Sequence, residues 1–445
     1  MPATAGPATG ATNELVARLD RLPLTRMHLL VMVVCASGFA FDLMEIALGS
    51  VMSAVFSAPP HAVDATQLSW LLAAVYIGAV AGAPLLGRLA DRVGRRLCLS
   101  GVLLLLAVSS FCAAASPDVF WLTVCRVISG IALGAFPPLM IAYLTDLLPP
   151  LNRGKLIFVV VAFASLGPPL GVLMVRALMP VQPLGVDAWR WGLFAGGLGA
   201  LLVAALFRKL PESPRWLLAR GREQEALAAG ERFLRSRPLQ AAAASVTRLV
   251  PPPAEPANGR SRLSLVAALF FLSPWSTVAF PLLSGALLVG KGFRLQDSLL
   301  YVAFSSFGPV VGTLAAAFVV DRMERRVAMA ACAVAMLGAG WAFITWDSPG
   351  GLVAASILFS LFGALYVPSI NVYGAELVPT QGRAAAIAGC WALNRLGAAI
   401  APLLLVPLLR NSGPQTMFVV IAASLIATLA LLSIAPRGAA RQAVA

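Results

Sequence analysis

Charge is scarce in this sequence. Of 445 residues, 12% are Asp, Glu, Lys or Arg and 59% are apolar, where a soluble domain carries about 25% charged residues. So few charges cannot supply a water-facing skin for a chain this long, which excludes a soluble globular protein. Imidazoles are nearly missing: only His28 and His61 occur, both at the ends of apolar runs, which argues against a histidine-based catalytic or metal site. The six cysteines, Cys35, Cys98, Cys112, Cys125, Cys332 and Cys390, lie inside apolar runs without ligand spacing and read as small core hydrophobes. There is no glycine-rich loop ending in Lys-Ser or Lys-Thr, which disfavours ATP-driven transport. Only 3 of the 33 basic residues are lysine; this reads as coding bias of a G+C-rich genome and carries no mechanism.

What the sequence does have is long apolar runs. Runs able to cross ~30 Å of hydrocarbon as helix fall at 28–56, 67–87, 97–115, 119–142, 156–178 and 190–207, and again at 263–289, 298–320, 327–345, 351–373, 384–409 and 415–435. Each helix satisfies its own backbone and lipid solvates its outer face, so the fold class is an all-α membrane protein with twelve transmembrane helices. Gly and Pro inside the runs, as in Gly167-Pro168-Pro169 and Ala401-Pro402, are tolerated among packed membrane helices. The formal charge of +14 falls in short clusters between the runs, the pattern of membrane loops and not of a nucleic-acid surface. With the N-terminus inside, 26 Lys and Arg lie on the cytoplasmic side and 5 on the other, with Arg126 and Arg395 within spans. That asymmetry puts both termini in the cytoplasm. Trp189, Arg190 and Trp191 read as an interfacial belt.

Five segments follow. Residues 1–27, Ala/Thr/Pro/Gly-rich at the start and without a signal-peptide pattern, read as a short disordered cytoplasmic tail. Six-helix bundles occupy 28–207 and 263–435, a cytoplasmic linker 208–262 separates them, and 436–445 form a second tail. Within the linker, Glu212 through Arg237 mixes Leu and Ala with charge at helical spacing and predicts an interfacial amphipathic helix. The Pro251-Pro252-Pro253 and Asn258-Gly259 stretch reads as flexible.

The two bundles repeat one another at an offset of 230 residues. Asp91, Arg92, Arg95 and Arg96 match Asp321, Arg322, Arg325 and Arg326; Tyr143, Asp146, Pro149 and Arg153 match Tyr373, Glu376, Pro379 and Arg383; Gly78 and Gly82 match Gly308 and Gly312. Paired six-helix halves around a midplane cavity suit alternating access by rocking.

The motifs that carry the repeat also carry a resemblance. Gly87-Arg88-Leu89-Ala90-Asp91-Arg92-Val93-Gly94-Arg95-Arg96 is similar to the loop between spans two and three of the major facilitator superfamily. Arg126-Val127-Ile128-Ser129-Gly130 with Gly134 resembles its fourth-span motif, and Pro211-Glu212-Ser213-Pro214-Arg215-Trp216 resembles the motif after span six in sugar porters and related metabolite carriers. The resemblance implies the major facilitator fold, two pseudo-symmetric halves, and a secondary transporter and not an enzyme. It implies a cytoplasmic gate made of Gly87, Asp91, Arg92, Arg95, Arg96, Asp146 and Arg153 with Asp321, Arg322, Arg325, Glu376 and Arg383. Charge-assisted hydrogen bonds between the halves would latch that face; ordinary positive-inside decoration is the bland account of the arginines.

Ionisable groups inside the membrane are costly and so are candidates for function. Asp42 and Glu45, at i and i+3 on span one, share a helix face, and Asp42 lies ~22 Å from the start of the span. Desolvation raises a carboxylate's proton affinity and a nearby cation lowers it, so a carboxylate whose surroundings alternate can couple protons to a solute. Phe39-x-x-Asp42 resembles the sugar-porter position where an aspartate pairs with the fourth-span arginine, which implies Asp42 as proton site and Arg126 as partner. The extra Glu45 leaves open which acid titrates, and a purely structural pair stays open beside it. Arg395 lies ~18 Å into span eleven, in a segment similar to that of organic anion transporters. An unpaired guanidinium there would take a substrate carboxylate bidentately; pairing with Asp42 is the competing account. Asn394, Tyr366, Asn371, Tyr373 and Trp275 are softer candidates for substrate hydrogen bonds or stacking.

The leading expectation is proton-coupled uptake of a small, carboxylate-bearing metabolite across a bacterial inner membrane by a monomer. Its partners are that small molecule, protons and the bilayer, with no nucleic acid, no metal and no cofactor beyond the proton gradient. Gly167-Pro168-Pro169-Leu170-Gly171 resembles a core common in proton-antiporting exporters, which keeps export open. A non-transporting sensor is disfavoured by the short cytoplasmic segments.

Overall fold

The computed structural model describes residues 8–150, 153–239, 259–319, 323–378 and 383–436. The described chain is helical apart from turns, loops and a single isolated bridge between Thr25 and Pro238. Spans 1 to 10 are Arg26–Val55, Ala65–Val93, Arg95–Ala114, Val119–Leu147, Arg153–Leu178, Ala188–Phe207, Arg262–Gly290, Leu295–Ala316, Arg325–Thr345 and Pro349–Leu377. The last apolar stretch, Arg383–Ile434, is two spans, because Gly413 at φ +85° takes a left-handed conformation that only glycine adopts cheaply. Residues 383–412 form span 11 and 414–434 span 12. Twelve spans therefore stand among the described residues.

Spans 2 and 4 run past the apolar runs expected at 67–87 and 119–142, to Val93 and Leu147. The change to polar residues marks where hydrocarbon ends, not where the helix ends. That extension carries Asp91 and Asp146 on continuous helix past the apolar runs.

Spans 5, 7 and 8 are each broken once, between Ala164 and Gly167, Thr277 and Ala279, and Ser305 and Gly308. Each downstream piece opens with proline near its start: Pro168-Pro169, Pro281 and Pro309. Proline has no amide hydrogen for the carbonyl one turn back, so the ladder is interrupted there.

The first half is held by an unusually close backbone approach. A Cβ placed on Gly78 or Gly82 of span 2 would lie 2.0 Å from the Val127 or Ile131 carbonyl oxygen of span 4. Reciprocally, one on Gly130 or Gly134 would lie 2.1 or 2.4 Å from the Val75 or Ala79 oxygen. Small residues four apart on both helices bring the backbones together, which is how membrane helices gain packing energy without a hydrophobic drive. The second half repeats this: a Cβ on Gly308 or Gly312 of span 8 would stand 2.6 Å from the Ile357 or Leu361 oxygen of span 10.

The N-terminal segment, expected to be disordered, instead carries a helix, Ala8–Asp20. Leu15 and Leu19, four apart and so on one face, pack against Trp216, Leu217, Ala226 and Ala229 of two linker helices, Pro214–Ala219 and Glu223–Leu234. The amphipathic linker helix is thus present in two pieces, while the proline-rich linker stretch, Asp321, Arg322 and Pro379 lie outside the described residues.

Hydrogen bonds join the halves at the face opposite the 2–3 loop. Arg410 at the end of span 11 donates to the Val63 and Phe56 carbonyls of the 1–2 connection, and Arg176 Nε of span 5 donates to the Gln296 carbonyl of span 8 at 3.2 Å. Beside them a Cβ on Gly285 of span 7 would stand 2.7 Å from the Ser50 oxygen of span 1.

Replacing Gly82 with leucine forces its side chain into the Ile131 carbonyl and must separate spans 2 and 4. We expect the variant to lose most monodisperse protein on size-exclusion chromatography in mild detergent. Gly101→Leu, which meets no atom within 4 Å of its Cβ, is expected to behave as the parent.

Candidate functional site

Span 1 brings its two acids into the protein core. Asp42 is 0% exposed and Glu45 1% exposed. They share a helix face, yet their surroundings differ. Arg126 of span 4, itself 2% exposed, donates from Nη1 to Glu45 Oε1 at 2.5 Å and from Nη2 to the Glu45 carbonyl at 3.1 Å. The Ser110 hydroxyl of span 3 lies beside the same carboxylate. On span 6, a Cβ at Gly196 would stand 3.3 Å from Glu45 Oε2, so the glycine leaves the space this carboxylate fills.

The resemblance implied an Asp42–Arg126 pair. The structure pairs Arg126 with Glu45, because the third residue along the helix brings its longer side chain to the guanidinium first. Asp42 is left without a hydrogen-bond partner for either carboxylate oxygen among the described residues. Across the junction between halves, Arg395 of span 11 is half-buried and likewise makes no hydrogen bond or ion pair among them; its guanidinium stands 5.8 Å over the Trp391 ring. Asp42 and Tyr76 of span 2 lie within its electrostatic reach but outside bonding distance. An acid of the first half and a guanidinium of the second thus influence one another without forming an ion pair among the described residues.

The softer candidates separate. Asn394 Nδ2 donates to the Phe270 carbonyl at 3.2 Å and to Ser273 Oγ at 2.8 Å, tying span 11 to span 7. Asn371 donates to the Val367 carbonyl of its own helix at 2.9 Å. Tyr366 is buried in the core of the second half, next to Thr428 of span 12. The Tyr373 hydroxyl donates to the Pro436 carbonyl at 2.6 Å, at the end of its span. Asn394, Asn371 and Tyr373 thus donate to backbone or hydroxyl oxygens, while the Tyr366 hydroxyl has no hydrogen-bond partner among the described residues. Trp275 is half-buried and its indole N–H has no partner among the described residues. Tyr76, Ser110 and Gly196 were missed from sequence; a tyrosine or a Ser-Ser pair in mid-span is a signal, but it does not say which groups meet.

Several residues expected at the gate meet partners of their own half. Arg95 pairs with Asp146, and Ser213 Oγ donates to the same carboxylate at 2.6 Å. Glu212, quoted in the motif after span six but not expected at the gate, accepts the Arg95 and Arg96 amides of span 3 at 3.0–3.1 Å. An anion there faces the positive end of the helix dipole. Arg96 donates to the Leu210 carbonyl and Tyr143 to that of Pro211. In the second half Arg325 Nε stands 3.4 Å from Glu376 Oε1, Arg326 donates to the Ala435 carbonyl and Tyr373 to that of Pro436. Three contacts therefore recur across the repeat. Arg153 donates to the Leu148 carbonyl. The Asp91 carboxylate and Arg92 are exposed, with no ion pair to the other half among the described residues, while the Asp91 carbonyl accepts from Trp216 and Arg220. Gly87 has no atom within 4 Å of where a Cβ would stand. Of Arg383 only the backbone is described.

Two six-helix halves built from one repeat, with the ionisable groups of their spans at the junction, are the architecture of a transporter of the major facilitator type. The profile of the family described as "Sugar (and other) transporter" matches residues 29–436, and the chain belongs to that family. It is similar to the niacin transporter of Acinetobacter baylyi, 26% identical over 438 residues, covering 95% of this chain and 96% of that protein. The arabinose-proton symporter of Bacillus subtilis is 30% identical over 213 residues, 46% of each chain. Among solved structures, the inward-open xylose transporter XylE from E. coli superposes with a TM-score of 0.73 at 20% identity, covering 92% of this chain and 97% of that one; that likeness is one of fold.

Two outcomes follow from these contacts. Glu45→Gln strands the Arg126 cation in the core, which costs about 3–5 kcal/mol; thermal unfolding in detergent should drop by several degrees, and Glu45→Gln with Arg126→Met should recover most of it. Arg410→Ala removes the clasp on both ends of the 1–2 connection. Thiol labelling of a cysteine placed at position 53 in a chain lacking its native cysteines should become several-fold faster from the face opposite the 2–3 loop.

Proposed function

We propose that the protein is a proton-coupled symporter that takes up a small, carboxylate-bearing metabolite across the bacterial inner membrane by alternating access. Arg395 holds the substrate carboxylate and Asp42 carries the proton, while Glu45–Arg126 is a fixed pair that anchors span 1 to span 4. The observation that carries this reading is the pair of unsatisfied, opposite charges at the junction of the halves. A buried carboxylate without hydrogen bonds is costly when ionised, and a nearby guanidinium offsets that cost. A substrate carboxylate that engages Arg395 removes the offset and favours a proton on Asp42. Substrate and proton then load together as a neutral set, and both leave when the cavity opens to the cytoplasm.

The family, whose matches include a niacin transporter and an arabinose-proton symporter, supports a metabolite and proton pairing. The charge asymmetry of the loops supports termini in the cytoplasm. Coupling needs no cofactor, and one chain holds every group named, which supports a monomer as the working unit. The exporter-like Gly167-Pro168-Pro169 segment has a packing role of its own. A Cβ on Gly167 would stand 2.0 Å from the Ala40 oxygen, and one on Gly171 2.6 Å from Met44, so these glycines let span 5 close on span 1 beside Asp42. That role calls for no particular direction of transport.

Proteoliposomes under an inward proton gradient test the reading with a panel of aromatic and aliphatic carboxylates and their amides. Accumulation of a carboxylate but not its amide is expected, with Asp42→Asn abolishing gradient-driven accumulation while leaving counterflow measurable. Arg395→Ala should weaken binding about 30-fold or more, the factor for about 2 kcal/mol lost with one partner of a desolvated charge pair. Expulsion of preloaded substrate under the same gradient would reverse the direction, and unchanged carboxylate binding by Arg395→Ala would remove the anion role.

A further inference from the structure

Away from the central site, spans 2, 3 and 6 leave a groove of about 480 Å³ at the face of the 2–3 loop, within the size range of ligand sites, roughly 300–1,000 Å³. Its walls are apolar. Leu89 and Val93 of span 2 and Leu97 and Leu104 of span 3 are 38–56% exposed, and on helices that cross a bilayer such side chains face acyl chains. The groove descends from Arg96 to Leu105, ~13 Å along span 3, and Phe207 closes it from span 6.

Its rim is of opposite character. The lining holds Arg96 and Arg208 and no acid. Both lie where spans 3 and 6 reach the same membrane surface, one at the start of its helix and one at the end. Arg96 is held in place by its bond to the Leu210 carbonyl at 3.0 Å, which leaves its remaining donors free to turn outward. Arg208 is exposed and has no side-chain partner among the described residues, and exposed Lys209 follows it. Glu212, the acid nearest along the chain, is taken up by the amides of Arg95, Arg96 and Ser213. Two guanidiniums at the headgroup level above a lipid-facing apolar groove match an amphiphile with an anionic head and a hydrocarbon tail, and basic pockets between spans are a known form of lipid recognition.

We infer that this groove is a binding site for an anionic phospholipid, with the phosphate on Arg208 and Arg96 and one acyl chain lying between spans 2 and 3. The charge pattern selects against a zwitterionic lipid, and the groove selects against a free anion. Because Arg96 also holds the chain leaving span 6, a lipid here would tie the linker to the bilayer surface. This inference does not depend on the substrate or direction of transport.

Native mass spectrometry of the full chain in a neutral detergent, titrated with phosphatidylglycerol or phosphatidylcholine, tests it. One phosphatidylglycerol should be retained about 30-fold more strongly than phosphatidylcholine, and Arg208→Gln should cut that preference about fivefold, the factors set by ~1 kcal/mol for each basic residue near a headgroup. Gly101→Phe should abolish retention by filling the groove; a Cβ at Gly101 meets no atom within 4 Å, so the variant is expected to melt at the parent's temperature. Equal retention of the two lipids, or full retention by both variants, would overturn the site. Displacement of phosphatidylglycerol by millimolar inorganic phosphate would reduce it to a simple anion site and overturn the lipid assignment.

Discussion

The Glu45–Arg126 ion pair is the contact on which the chemistry of the centre depends. A guanidinium with 2% of its surface exposed cannot stay in a helical core unless an anion and several acceptors meet it, and Glu45 supplies its carboxylate and its backbone carbonyl together. Once that cation is neutralised from one turn further along span 1, it no longer needs Asp42. The second acid then has no hydrogen-bond partner among the described residues and lies within the electrostatic reach of Arg395 in the other half.

Around that centre the scaffold is the same solution used twice. Glycines at one spacing let spans 2 and 4, and spans 8 and 10, meet backbone to backbone. At the face of the 2–3 loop, an arginine pairs with an acid at the end of the fourth helix of each half, the next arginine reaches a carbonyl after the sixth, and a tyrosine reaches the following proline. The halves diverge where the linker begins. Glu212 caps span 3 from outside the helix, whereas Glu324 precedes span 9 within its own loop. The first half is thereby fastened to the linker helices and, through Arg215–Asp20, to the N-terminal helix.

The rigid halves and the hydrogen bonds between them lie at different places. At the face of the 2–3 loop Arg95–Asp146 and Arg325–Glu376 are ion pairs within a half, while Arg410 and Arg176 bind carbonyls of the opposite half at the other face. Arg410 and Arg176 thus clasp the halves at one face, and spans 5 and 8 also pack against one another on the side of the 2–3 loop.

Composition and periodicity by themselves determined the membrane class, the twelve spans, the repeat and the four ionisable groups within the spans. Hydrocarbon length and the cost of buried charge act on any sequence, whatever its neighbours are. The resemblance carried by the loop motifs led as far as the superfamily. Span ends were less legible, since polarity changes at the membrane surface while the helix of span 2 continues to Val93. The partners of the buried groups were not legible at all. Whether Arg126 meets Asp42 or Glu45, whether Asn394 faces a cavity or span 7, and that Tyr76 lies near Arg395 depend on how helices distant in sequence rotate against each other. That rotation is set by the packing of small and large side chains at every crossing, and only the tertiary structure decides it.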